Sequence, residues 1–191
     1  MSMIGNLARL PDELAQHLLR HPGEVHEFLY GSPPPLPRFR GLFAALLGRR
    51  EAPTKPAVPH LSEEDSFCLE KDWHILHFLF TGTAWDGAMP ECFLVKGGRE
   101  VGNVDVGYGP ARCLSPVEVE TVARFLDGVT IDRLRDRYDV RAMAAAKIYG
   151  LAHPPIASQE ELSALMDTVR RIRDFLAETA RRRQALLVYI N

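Results

Sequence analysis

Seven of the 14 prolines in this 191-residue chain fall between Pro33 and Pro59. Each fixes φ near about −65° and removes an amide donor, so no continuous helix or central strand can cross that stretch. The core must be assembled from what flanks it. Within the stretch, Phe39, Leu42, Phe43, Leu46 and Leu47 recur at helical spacing. That predicts a short amphipathic helix between two proline-rich connectors, an insertion at about 33–59 whose apolar stripe packs on the domain or meets a partner.

Upstream, MIGNLARL reads as a short strand, and LPDELAQHLLRHPGEVHEFLYG as one or two helices broken at Pro22 and Gly23. Downstream, FCLEKDWHILHFLFTG reads as a helix that is apolar almost all round. It carries Trp73, Leu76, His77 and Phe80 on one side and Ile75, Phe78 and Leu79 on the other, which assigns it to the core. A glycine-rich middle segment follows, with short strands expected at Cys92 to Val95 and Tyr108 to Leu114. Ser115, Pro116, Val117 and Glu118 then form a capping-box pattern with proline at the first helical position; this helix should run to about Leu126 and stop at Gly128. A further helical pattern from Ile131 to Tyr149 is interrupted near Asp139. Ser158 and Glu161 open the longest helix, in which Leu162, Leu165, Met166, Val169, Ile172, Phe175 and Leu176 repeat at three and four residues. The closing ALLVYI is a strand that must pair with earlier ones. Helices and strands mix without a regular βαβ alternation and without internal repeats. The expected fold is therefore α+β, a single domain over residues 1–191 with a small mixed or antiparallel sheet covered by several helices.

Charge narrows the function classes. Lys plus Arg number 23 against 25 Asp plus Glu, a net charge of −2, and a nucleic-acid binder needs a cationic surplus on some face. The arginines at 170, 171, 173, 181, 182 and 183 are interleaved with Asp167, Asp174 and Glu178, as on a solvated helix face. No apolar run approaches the roughly 20 residues that cross a bilayer, and the opening residues lack a secretory pattern. Cys68, Cys92 and Cys113 are odd in number and widely spaced, which fits a reducing compartment rather than a disulfide framework. A cytoplasmic protein with neither nucleic-acid nor membrane partners is expected.

The chemistry-bearing motifs are sparse. GGREVG and DVGYGPAR lack the spacings that cradle phosphate, so no cofactor is expected. His74 and His77, three apart on one helix, have no third ligand in sequence, so no metal is expected either. No base is placed against any cysteine. By side-chain chemistry, His77, Tyr108 and Arg112 are the catalytic candidates: an acid or base, a donor and an anion clamp. Trp73, His74, His77, Tyr108 and Arg112 are the ligand-binding candidates. The competing structural reading has Trp and Tyr filling the core while His and Arg satisfy buried carbonyls, with GYGPAR a tight turn.

Two motifs carry a family resemblance: Lys71, Trp73, Leu76, His77, Thr81 and Gly82 in the first, and Gly107, Tyr108, Gly109, Pro110, Ala111 and Arg112 in the second. With the order of the remaining segments, the chain resembles the YfbM-like family, small bacterial proteins classed as a domain of unknown function. The likeness excludes the proline-rich stretch, and it departs at Gly150, where the family tends to place proline after Ile148 and Tyr149. The resemblance implies an α+β domain and transfers no reaction, cofactor or catalytic residue. The function expected is a noncatalytic protein-interaction or accessory module, with an immunity-type role among the accessory roles considered, and Phe39 to Leu47 as the contact surface. The alternative is a small-molecule binder or hydrolase-like enzyme with a pocket between the Trp73–Gly82 helix and the Gly107–Arg112 loop. A third reading is a homodimer joined through the last helix or the ALLVYI strand.

Overall fold

The structure, a computed structural model, describes residues 2–31, 58–151 and 159–191. The expected helix at Phe39 to Leu47 and the cap at Ser158 lie outside the described residues. Strand β1 (Gly5–Leu10) leads into α1 (Asp12–Arg20) and α2 (Val25–Tyr30), separated by a 3-10 turn at Pro22–Glu24. The chain re-enters beside its point of departure: the Leu61 amide donates to the Phe28 carbonyl at 2.9 Å, and Gly31 lies against the His60 ring. Strand β2 (Ser66–Glu70), α3 (Asp72–Thr81), β3 (Arg99–Asp105) and β4 (Pro110–Leu114) follow. Then come α4 (Pro116–Gly128), α5 (Ile131–Arg137), α6 (Val140–Ala145), α7 (Gln159–Arg181) and β5 (Ala185–Ile190).

The five strands form one antiparallel sheet in the order β2-β1-β5-β4-β3. ALLVYI is its central strand. Gly5 to Leu10 pair with Ile190 to Ala185 on one side, and Arg112 to Leu114 pair with Val188 to Leu186 on the other. Both edges of β5 are thus used within the chain, and β5 offers no edge to a second copy. Its uninterrupted apolar run follows from its position, because each face is covered by helices. Ala185, Leu187 and Tyr189 join Ala15, Leu18, Val25 and Phe28 of α1 and α2. Leu186 and Val188 join the larger cluster built on α3, α4, α5, α6 and α7. The architecture is α+β in three layers.

Two expected elements differ. FCLEKDWHILHFLFTG is divided: Phe67 and Leu69 alternate with exposed Ser66, Cys68 and Glu70 in β2, and the helix starts only at Asp72. Glu70 at φ 50° makes the corner between them. Cys92 to Val95 is a turn rather than a strand. The Lys96 amide returns to the Cys92 carbonyl at 2.8 Å while Phe93 and Leu94 sink into the core.

Candidate functional site

The first turn of α3 points two aromatic rings at β1 and at the turn after α6. Trp73 packs so closely on Gly5 that a Cβ there would lie 2.6 Å from the Trp73 Cβ. Its indole N–H donates to the Met3 carbonyl at 3.3 Å. His74 stacks on Trp73 with ring centroids 4.8 Å apart and planes 8° from parallel. It is fully buried. Its Nδ1 accepts the Tyr149 amide at 2.9 Å, which places the proton on Nε2, 2.8 Å from the Ala84 carbonyl that receives it. Burial lowers the pKa of His74, outweighing the opposite pull of the Ala84 carbonyl. The ring is neutral and held at both nitrogens.

In front of His74 lies a cavity of about 580 Å³ whose walls include Met3, Lys71, Trp85, Lys147 and Tyr149. Trp85, 53% exposed, stands over His74 with centroids 4.2 Å apart. The Tyr149 hydroxyl accepts the Met3 amide at 3.0 Å and lies 3.2 Å from Ser2 Oγ, which fixes the phenol against the first residues of the chain. The wall behind it is a constrained turn. Lys147 has φ 57° and Gly150 φ 94°, and a Cβ on Gly150 would lie 2.7 Å from the Lys71 carbonyl oxygen. Proline, locked at a negative φ, does not fit that backbone. Neither Lys71 nor Lys147 is paired with a carboxylate among the described residues.

The other residues singled out from sequence lie elsewhere. His77, also fully buried, has no hydrogen-bond partner at either ring nitrogen. Burial, then the neighbouring His74, push its pKa down to about 4, with Arg112 and Lys96 adding to the shift. Arg112 spreads its guanidinium over three carbonyls of the 93–97 turn: Nη1 donates to Phe93 at 3.2 Å and Gly97 at 2.9 Å, and Nη2 to Leu94 at 2.8 Å. Burial lowers even its pKa, to about 10. Tyr108 is 44% exposed at the β3–β4 turn, its amide donating to the Ile190 carbonyl at 3.0 Å. That turn is closed by Asp105, whose carboxylate accepts the amides of Gly107 and Gly109. Of the five candidates, His74 lines the cavity and Trp73 backs it, while His77, Tyr108 and Arg112 do not reach it. Sequence reasoning passed over Trp85, Lys147 and Tyr149. The available signal was a tryptophan in a glycine-rich loop and a Lys-Ile-Tyr-Gly run closing a helix. Among the described residues no three of His, Cys, Asp and Glu converge to hold a metal, and no helix is long and apolar enough to cross a membrane.

A central five-stranded antiparallel sheet between two helical layers, with an aromatic, lysine-bearing cavity at the start of α3, defines an α+β protein of the single-sheet class. The family profile described as "Domain of unknown function (DUF1877)" matches residues 1–189, and the chain belongs to that family. Its structure is similar to the crystal structure of YfbM from Escherichia coli, a protein of unknown function. The match covers 98% of this chain and 99% of that one at a TM-score of 0.61 and 19% identity, which shows a shared fold. No curated protein matches the chain.

Proposed function

We propose that this is a bacterial cytoplasmic module that binds a small molecule in the cavity before His74 without transforming it. One observation carries the reading: the titratable ring in the cavity wall has both nitrogens committed to backbone partners, leaving neither lone pair nor proton for a substrate. The volume of about 580 Å³ falls within the range of ligand pockets. Three free thiols, Cys68 exposed among them, suit a reducing compartment, and the likeness to an Escherichia coli protein supports a bacterial origin. The meeting of Phe28 with Leu61 and of Gly31 with His60 supports reading 33–59 as an insertion into a single domain.

A fragment screen followed by 15N NMR tests the binding reading. Trp73 and Trp85 are the only tryptophans, so their indole N–H signals report the site directly. Hits should move the Trp85 indole and the amides of residues 147–150, and Trp85→Ala should abolish them. Hits that never move these signals would refute the reading. Contact with a protein partner is the second reading, favoured by the exposed Trp85, a residue type enriched in interface anchors. There Trp85→Ala should weaken the complex while no fragment occupies the cavity.

A further inference from the structure

We infer that the cavity before His74 selects a flat aromatic ring bearing an anionic group, a phosphate or a carboxylate. This rests on the small-molecule reading above and specifies its ligand.

Among the described residues, the lining holds two cations and no acid. Lys71 comes from the corner between β2 and α3, and Lys147 from the turn after α6, and both face the same space. Nothing among the described residues neutralises either one. Two unpaired ammonium groups at one concavity raise the local concentration of anions and disfavour cations. Lys147 occupies the left-handed region at φ 57°, an unfavourable conformation for a residue with a Cβ. Gly150 at φ 94° sits against the Lys71 carbonyl, so one turn sets the position of both lysine-bearing segments.

The rest of the wall is aromatic and apolar. Trp85 projects over His74, and Trp73, His74 and Tyr149 continue the cluster, Trp73 and Tyr149 being 29° from parallel with centroids 6.1 Å apart. The exposed Trp85 ring offers a face on which a planar ligand can stack. Met3, Ile148 and Leu151 supply apolar surface around it. His74 adds no charge, since it is held neutral by its two backbone bonds. The charge of the site is therefore that of the lysines, and its shape preference is that of the rings.

The test uses the full chain and four probes read at the Trp85 indole N–H: adenosine 5′-monophosphate and indole-3-acetate as ring-bearing anions, adenosine and indole-3-ethanol as their neutral counterparts. Inorganic phosphate is added as an anion without a ring. At least one anion should bind roughly ten times more tightly than its neutral counterpart at low salt, and the gap should narrow in about 0.5 M salt as screening grows. Whichever anion binds better identifies the phosphate or the carboxylate form. Lys71→Gln and Lys147→Gln should each weaken that anion about three- to tenfold without changing the melting temperature, and Lys71→Arg should restore it. Equal affinity for charged and neutral members overturns the inference, as does phosphate binding equal to that of the ring-bearing anions. If none of the probes binds while uncharged fragments occupy the cavity, the ligand class is wrong and the small-molecule reading stands; if fragments also miss the cavity, both fall.

Discussion

His77 sits fully buried with no well-formed hydrogen bond at either ring nitrogen, and burial, against a weaker opposing pull from the Asp86 backbone, holds its pKa down to about 4. The unfolded chain takes up a proton near pH 6.5, whereas the folded chain resists until about pH 4, so stability is lost as pH falls between those values. His77 alone should remove ~2 kcal/mol between pH 7.5 and pH 5. His74, also lowered, acts with the same sign. The lowered carboxylates, Asp65 and Asp105 among them, are still ionised at pH 5, whereas Asp72, whose pKa burial raises, opposes the imidazoles as it takes up its proton. His77→Leu should therefore hold or raise stability at pH 7.5 and flatten the decline toward pH 5, as measured by urea unfolding at the two values. A loss above about 1 kcal/mol at pH 7.5 would mean that the ring has a partner after all. The core placement of His77 and Trp73 was legible from the apolar run around them. The structural reading of Arg112, a guanidinium satisfying buried carbonyls, matches what is found, but which carbonyls it meets was not legible, because they belong to a turn that leaves no mark in sequence.

Elements whose ends are written in side-chain chemistry were the easiest to read. Ser115 and Glu118 form the reciprocal cap at the start of α4: the Glu118 amide donates to Ser115 Oγ, and the carboxylate accepts the Ser115 amide at 2.8 Å. Ser115→Ala should cost about 1 kcal/mol in chemical denaturation with the fold retained. Asp139 similarly caps α6 by accepting the amides of Arg141 and Ala142, at the break expected there. Elements set by tertiary partners were read wrongly. Phe93 and Leu94 carry the apolar signal of a strand, yet their carbonyls go to Arg112 instead of a neighbouring strand. β2 was absorbed into α3 because its buried Phe67 and Leu69 abut a longer apolar run. The turn that shapes the cavity was recognised only as a helix end. Gly150→Ala places a Cβ against the Lys71 carbonyl at a positive φ and should destabilise by roughly 2 kcal/mol. A melting temperature unchanged from the parent protein would show that this contact relaxes freely.

At the scale of the molecule, the α+β class and a small sheet covered by helices followed from the mixture of periodicities, but the cover on both faces and the strand order did not. Nothing local in ALLVYI distinguishes a middle strand from an edge except its lack of polar residues, which reflects burial on both faces. Amide hydrogen exchange should be slowest in β5 and in the facing residues of β1, with β2 and β3, the two outer strands, exchanging sooner. Fastest exchange in β5 would contradict its central place. Because, among the described residues, β1 and β4 are joined only through β5, a polypeptide emerging from the ribosome carries two unzipped halves of a sheet until residue 190 has been made. Until then their apolar margins stay open to strangers. A nascent chain of this design depends on chaperone shielding during translation more than one whose middle strand is made first.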